Sequence, residues 1–253
     1  MAQNAKENLI TQPPARSLFF FALPMIIGNL FQQFYNMADS IIVGNLVGED
    51  ALAAVGASYS FTTVFIMIAI GGGIGASVLT SQYLGAGHYK EMKSSVYTFF
   101  ITFVVFSTLL AILGFSINPT VLHLLKTPEN IMPDAVAYLQ IYFVGLPFMF
   151  MYNILSANFN ALGRSKIPLF LLIFSSILNI VLDFWMVGGL NMGVSGAAVA
   201  TVIAQGIAAV ISFVILMRCL PLIQWRAESS GFAKICLPPE LKLQFHRLCS
   251  SLL

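Results

Sequence analysis

A carboxylate, Asp39, lies inside a long apolar stretch near the start of the chain. The stretch covers residues 17–48, and a helix needs about 20 apolar residues to cross a bilayer. An ionisable side chain at membrane depth costs at least ~2.5–3.5 kcal/mol on insertion scales, so folds rarely keep one without a partner or a water-filled cavity. The stretch therefore predicts a membrane helix that borders an internal polar space. The alternative is that Asp39 only joins helices.

Further polar side chains share a face of this helix. Gln32, Asn36 and Asp39 follow one another at intervals of three and four residues, which places them in line along a helix. The rest of the stretch is aromatic and aliphatic. The two amides fit either the lining of a cavity or hydrogen bonds between helices, and the spacing alone does not choose between these roles.

Five more apolar runs follow, and the six runs together occupy most of the chain. The runs cover residues 17–48, 52–84, 94–122, 133–162, 167–190 and 194–221. The 253 residues are 58% hydrophobic and 9% charged, whereas a soluble domain has about 25% charged residues. The sequence thus predicts an all-α integral membrane protein, a six-transmembrane-helix bundle over residues 17–221. Residues 1–16 form a predicted cytoplasmic segment, and residues 222–253 a predicted cytoplasmic linker ending in an amphipathic helix.

Basic residues concentrate on one side of the predicted bundle. Of the 12 Lys and Arg residues, all but Lys126 fall in the N-terminal segment, the second-to-third and fourth-to-fifth connections, or the tail. Because cytoplasmic connections carry the excess of Lys and Arg, we expect a multi-pass protein of the cell membrane with both termini in the cytoplasm. The net charge of +2 then reflects orientation and gives no reason to expect nucleic-acid binding.

A second intramembrane carboxylate, Asp183, lies in the fifth run. Asn179 precedes it by four residues and shares its face. At 1.5 Å per residue, Asp183 is about 24 Å from the inner end of its span, and both carboxylates fall in the outer half of the membrane. They meet if the first and fifth spans are neighbours. Thr201, on the sixth run, has a depth that suits a group facing Asp183, or it bonds its own helix.

No enzyme site is visible in the sequence, which shows no Ser/His/Asp set, metal cluster or phosphate loop. The glycine-rich segment 71–77 superficially suggests a dinucleotide-binding turn, but that motif needs a preceding strand, and this segment lies in mid-membrane. Small residues four apart, Gly71 with Gly75 and Gly73 with Ser77, instead predict close approach of another helix. We therefore predict a protein that is not an enzyme and has no cofactor.

Four segments carry a family resemblance: QQFYNMADSIIVG at 32–44, ALAAVG at 51–56, SQYLGAG at 81–87 and NIVLD at 179–183. Taken in order they resemble the N-terminal half of MATE (multidrug and toxic compound extrusion) transporters, closest to the DinF-like branch, over roughly residues 15–220. The resemblance implies one six-helix lobe of a twelve-helix transporter with a central cavity. It also implies that a C-terminal lobe, or a second half-transporter, is a partner along with the lipid bilayer.

The resemblance implies a function as well: a cation-coupled antiporter, using H⁺ or Na⁺, that exports small organic compounds, cations among them. Matching positions imply a cation-coupling set and a cavity lining. The coupling set is Asp39, Asn179, Asp183 and Thr201, and the lining is Gln32, Asn36, Tyr138 and Asn158. No metal is expected beyond Na⁺ at the coupling set, where carboxylate and neutral oxygens suit a hard cation.

Two other functions stay open at this stage. A lipid-linked precursor flippase of the same broad superfamily would move a large anionic headgroup and should line its cavity with Arg or Lys, which the spans lack. A non-transporting structural membrane protein should have no ionisable group at membrane depth. The two buried carboxylates favour ion exchange over both, since such a pair could share a proton or hold one Na⁺.

Overall fold

The computed structural model describes residues 14–228, with side chains from residue 22 to residue 218. This part of the chain is helical throughout, without strands, as the sequence predicts. The six long helices are α1 (Pro14–Leu46), α2 (Glu49–Ala86), α3 (Tyr89–Leu124), α4 (Met132–Ala161), α5 (Lys166–Asp183) and α6 (Gly193–Glu228). A π-helical segment, Phe184–Gly189, continues α5 directly.

The predicted outer segments fall largely outside this description. The first 13 residues and residues 229–253, which include the predicted amphipathic helix, lie outside the described part. The helix α6 runs on to Glu228, past the predicted end of the transmembrane bundle at residue 221, and that predicted domain boundary stays a prediction. An apolar run reports how much of a helix is hydrophobic, and a helix can extend beyond it.

Five of the six helices are long and apolar enough to cross a membrane: α2, α3, α4, α5 with its π-helical segment, and α6. The sixth, α1, is not among them over the part whose side chains the structure describes, residues 22–46. Its described part is interrupted by amide and acid side chains, which lower its mean hydropathy. These are Asn29, Gln32, Gln33, Asn36, Asp39 and Asn45.

The centre of the bundle is α4, which packs along α2, α3 and α6. Its residues Leu139, Leu146 and Phe150 are fully buried. Phe143 is also fully buried, and its ring meets Phe65 edge-on with centroids 5.1 Å apart. Aromatic rings in this geometry stabilise the core beyond the burial of their surface. The buried side chains of α4 thus form the centre of the core against which α2, α3 and α6 pack.

Glycines allow two helices to approach α4 closely. A Cβ atom at Gly114 of α3 would lie 2.2 Å from Cε1 of Phe143, and one at Gly145 of α4 would lie 2.4 Å from Cγ2 of Val202. Real Cβ atoms do not come this close to a neighbour, so no larger residue fits unless α3 or α6 moves. The packing at these two positions therefore depends on glycine.

Within the described part of the chain, the predicted small-residue contact on α2 is confirmed at one of three glycines. Gly73 is buried, and a Cβ there would lie 3.3 Å from Cβ of Ala157 on α4. At Gly71 and Gly75 a Cβ would meet nothing within 4 Å in the described part of the chain. The helix is apolar on every side, so hydropathy could not show which of its glycines face α4.

The first helix packs mainly on α5 and makes smaller contacts with α2 and α6. Near Gly28 the side chains of Leu169 and Leu172 come within 3.7 Å of a Cβ position. Much of the remaining surface of α1 is apolar and exposed, including Leu30 and Phe34. The first and fifth helices are thus neighbours, which places the two intramembrane carboxylates on adjoining helices.

Candidate functional site

The predicted coupling residues come from three helices at one end of the bundle. Successive helices run in opposite directions, so the α1–α2 and α5–α6 turns lie at the same end. At 1.5 Å per residue, Asp39 is about 10 Å from the end of α1, and Thr201 is about 12 Å from the start of α6. Asp183 is the last residue of α5, directly before the π-helical segment. The three residues therefore share a similar depth.

Asp39 and Asp183 form a pair whose carboxyl groups lie within hydrogen-bonding reach of each other. Asp183 has no solvent exposure, and Asp39 is partly buried. The Oδ1 atom of each is buried and receives no hydrogen bond from the described side chains or backbone. Because an ionised carboxylate only accepts hydrogen bonds, two facing carboxylates need a shared proton or a cation between them.

Asn179 connects this pair to α6. Its amide is satisfied when Nδ2 donates to Oδ2 of Asp183 at 2.8 Å and Oδ1 accepts from Oγ1 and the backbone N–H of Thr201, at 3.2 and 3.1 Å. The opposite amide orientation makes one bond to Thr201, at 3.2 Å, and turns the amide oxygen toward a carboxylate. We assign the first orientation from this hydrogen-bond network. The predicted neighbours Asp183, Asn179 and Thr201 are thus brought together.

Tyr35 is a member of the site that the sequence analysis missed. Its hydroxyl lies 3.3 Å from Oγ1 of Thr201, which joins α1 to α6. The signal was available, because Tyr35 precedes Asp39 by four residues and so lies on the same face of α1. Its phenol also interacts electrostatically with both Asp39 and Asp183.

A small cavity lies beside Thr201, between α4 and α6. It has room for about one water molecule. Tyr138, predicted to line a cavity, is at its edge and interacts electrostatically with both carboxyl groups. The full lining is Tyr138, Tyr142, Gly145, Met149, Ala198, Thr201, Val202 and Gln205. Thr201 thus borders both the carboxyl site and this cavity, whereas neither carboxyl group lines the cavity.

Gln32 and Asn36 lie on α1 below the pair and are partly buried. Nε2 of Gln32 donates to Oδ1 of Asn36 at 3.3 Å. Neither amide hydrogen-bonds to the carboxyl pair in the described part of the chain. They extend the polar face of α1 away from Asp39, and their predicted contact with substrate stays a prediction.

Asn158 lies elsewhere, and the structure does not place it on an open cavity. It is 1% exposed, its Oδ1 accepts from Oγ1 of Thr80 at 2.7 Å, and its Nδ2 donates to the carbonyl of Ile154 at 2.8 Å. With both amide atoms bonded, the side chain joins α4 to α2. It is about 30 Å along α4 from Tyr138, and its predicted contact with a substrate cavity stays a prediction.

A Thr80→Val substitution tests this structural role. Valine keeps the shape of threonine but leaves Oδ1 of Asn158 buried without a donor, so we expect a loss of about 1 kcal/mol in unfolding free energy, within the range for hydrogen bonds between membrane helices. The measurement is unfolding by titration with a denaturing detergent. The control is Thr108→Val, since Thr108 is exposed and bonds only its own helix, to Val104. Equal effects of both substitutions would contradict the role of Asn158.

The site offers carboxylate and neutral oxygens and no other metal-ligating side chains in the described part of the chain. Among the side chains of residues 22–218 no group of three or more His, Cys, Asp and Glu gathers where a metal ion could bind. The ligands available to a cation at this site are therefore the oxygens of the two carboxylates and the neutral oxygens of Asn179 and Thr201. Hard cations favour such oxygen ligands. The two unpartnered carboxylate oxygens fit either Na⁺ or a shared proton.

Comparison with known proteins gives consistent matches. The family model MatE matches residues 24–185. The chain is 33% identical over 235 residues to probable multidrug resistance protein YpnP of Bacillus subtilis (strain 168), covering 90% of this chain and 53% of that protein. It is 28% identical to DNA damage-inducible protein F of Escherichia coli (strain K12), covering 82% of this chain and 45% of that protein.

A solved structure, that of a MOP superfamily transporter from Pyrococcus furiosus Vc1 (DSM3638), has a similar fold. The TM-score is 0.77 at 24% identity, and the match covers 83% of this chain and 46% of that one. The chain spans about half the length of the curated relatives it matches.

Proposed function

The chain belongs to the MATE family of multidrug efflux transporters, and from this premise we propose that it is half of a cation-coupled antiporter that exports small organic compounds. Members of this family are transporters and not enzymes. The observation that carries the proposal is the Asp39–Asp183 pair, in which the Oδ1 atom of each carboxyl group is buried and lacks a hydrogen-bond donor in the described part of the chain. A proton or Na⁺ is the partner that these two oxygens require.

The proposed coupling follows from the repulsion between the two carboxylates. Two unit charges about 4 Å apart interact by about 4 kcal/mol at an effective dielectric constant near 20, so an empty pair pushes α1 and α5 apart. A cation removes this repulsion and draws the helices together. Because α1 makes few contacts with α2 and α6, α1 is the helix that shifts. Exchange results when cation and substrate favour different positions of α1.

We propose that the pair lies toward the outer side of the cell membrane and that both termini are cytoplasmic. The described basic residues at the opposite end of the bundle support this orientation, because cytoplasmic connections are rich in Lys and Arg. They are Lys90, Lys93, Arg164, Lys166 and Arg218. None of them lies at the depth of the pair, which favours small organic substrates over a lipid-linked anionic headgroup.

Cation binding by the isolated 253-residue chain tests the proposal. In lipid nanodiscs we expect dicyclohexylcarbodiimide, which modifies protonated carboxyl groups in apolar sites, to label Asp39 or Asp183, and Na⁺ or raised pH to protect them. The double variant Asp39→Asn/Asp183→Asn should lower labelling and sodium binding at least ~10-fold, equivalent to about 1.4 kcal/mol. Peptide mass spectrometry and radioactive sodium binding are the measurements.

The matched control is Asp134→Asn, because Asp134 is an exposed acid in the first turn of α4. This variant should label and bind sodium as the unmodified chain does. Labelling confined to exposed acids, together with no sodium binding by the unmodified chain, would contradict the proposal.

A further inference from the structure

An apolar layer lies next to the carboxyl site, on the side of the α1–α2 and α5–α6 turns. It joins four parts of the bundle: α1, α2, α6 and the π-helical segment after Asp183. Its five buried members are aliphatic and pack in one cluster: Val43, Ala51, Val187, Val194 and Ala197. None of them is more than 3% exposed. We refer to these five residues as the valine layer.

The valine layer follows the site at an offset of four residues. On α1, on α5 with its π-helical segment and on α6, one member lies four residues from a site residue, in each case toward the turns. The pairs are Asp39 with Val43, Asp183 with Val187, and Thr201 with Ala197. Residues four apart lie on about the same face of a helix, so the layer covers the site from the side of the turns. On α1 the offset is about 6 Å.

Tyr138 of α4 shows that the valine layer adjoins the carboxyl groups. Its side chain packs against the layer and also interacts electrostatically with both Asp39 and Asp183. A single side chain thus reaches the layer and the pair, which places the two next to each other.

Apolar contacts between α1 and the chain after Asp183 extend beyond the valine layer toward the turns. A Cβ atom at Gly188 would lie 3.3 Å from Cδ1 of Leu46, and one at Gly193 would lie 3.8 Å from Cγ1 of Val47. The absence of a side chain at Gly188 lets the end of α1 come close to the π-helical segment. The contact is therefore tight on this side of the site.

A layer of this composition is a barrier to ions. A cation that crosses it must give up water and finds no oxygen ligand on the aliphatic side chains, which is costly. Apolar constrictions also close pores by excluding water. The buried Oδ1 atoms of the pair are thus separated from the solution at the turns, although Asp39 is only about 10 Å from that end of α1.

We propose that the valine layer is a seal that keeps cations from reaching the carboxyl pair directly from the side of the turns. A permanent path on this side would let the pair equilibrate with one solution at all times, which would uncouple cation flow from export. The inference rests on the proposed function, since a seal has a role only if the pair binds a cation. It assigns a function to residues that carry no polar side chain.

The test compares two carbodiimides on the 253-residue chain in lipid nanodiscs. Dicyclohexylcarbodiimide is apolar and reaches buried carboxyl groups through lipid, whereas a water-soluble carbodiimide needs an aqueous path. Val187→Ala opens space in the valine layer, and Val187→Thr keeps the shape but adds a hydroxyl group. In both variants we expect the water-soluble reagent to label Asp39 or Asp183 at least ~10-fold faster, which corresponds to about 1.4 kcal/mol of barrier. Peptide mass spectrometry over time is the measurement.

A seal changes the rate of access and not the equilibrium at the pair. The labelling rate with dicyclohexylcarbodiimide and the Na⁺ concentration that gives half-maximal protection should therefore stay unchanged. Val187→Ile keeps the layer apolar and should label as slowly as the unmodified chain. Val43→Ala opens the same layer from α1 and should act as Val187→Ala does, so the test does not depend on the folding of one variant.

The matched control is Val96→Ala, because Val96 is 1% exposed and belongs to a different core cluster, on α3. This variant should label at the unmodified rate.

The outcomes separate the two proposals. Unchanged labelling by the water-soluble reagent in folded Val187 and Val43 variants would overturn the seal and leave the carboxyl pair in place. An equal rise in Val96→Ala, or an equal rise with both reagents, would overturn it too, because the effect would then be a general loosening of the bundle. Absence of Na⁺ protection in the unmodified chain would overturn the proposed function and, with it, this inference.

Discussion

An Asp183→Asn variant is expected to lose cation-driven efflux while still inserting into the membrane. Asparagine keeps the size of aspartate and can still bond with Asn179, so the α5–α6 contact persists. It cannot become negative, so the two facing charges whose repulsion a cation removes are no longer present. We expect efflux to fall at least ~100-fold, equivalent to about 2.7 kcal/mol.

The measurement is efflux of an organic cation such as ethidium from cells that lack their own drug exporters. A chimera in which this chain replaces the matching half of YpnP supplies a second lobe, and the amount of protein in the membrane fraction reports insertion. Asp134→Asn, at the exposed start of α4, is the control and should leave efflux unchanged. Undiminished efflux by Asp183→Asn in an inserted, active chimera would remove Asp183 from the coupling mechanism.

A Gly114→Ala variant is expected to show a large loss of stability. The added methyl group would lie 2.2, 2.5 and 2.6 Å from Cε1, Cζ and Cδ1 of Phe143. That ring cannot turn away, because it is fully buried and held edge-on by Phe61 and Phe65, with centroids 5.6 and 5.1 Å away. Overpacking of this kind costs about 1–3 kcal/mol and sometimes more.

Detergent-induced unfolding is again the measurement, and Gly75→Ala is the matched control. A Cβ at Gly75 would meet nothing within 4 Å, so this change should stay within about 0.5 kcal/mol, as surface substitutions usually do. If the two alanine variants unfold at the same detergent concentration, the close approach of α3 to α4 does not depend on Gly114.

The helical architecture and the depth of both carboxylates could be predicted from the sequence. Apolar run length predicts the helices, and the cost of a buried charge marks Asp39 and Asp183 as residues that need partners. The meeting of the two carboxylates could not be predicted in the same way. Hydropathy gives the depth of a residue in the bilayer but does not indicate which helices are neighbours, and only the packing of α1 on α5 brings the pair together.

The misses have a common physical cause. A membrane helix is apolar toward lipid and toward protein alike, and each residue turns the helix by about 100°, so the sequence shows poorly which residues face inward. The sequence therefore did not show that Asn158 joins α4 to α2. Tyr35 was missed because aromatic residues surround it on α1. The π-helical segment after Asp183 has no sequence signal that we can identify.

The position of Asp39 on α1 has a consequence for biogenesis. Because α1 carries Asp39, whose partner is on α5, placing α1 in lipid costs more before that partner is made. Asp183 is synthesised much later, after three further helices, so the ribosome-bound chain holds Asp39 without its partner. The nascent α1 must be retained by the insertion machinery or by α2 until α5 arrives, and assembly of the pair becomes a late step in maturation.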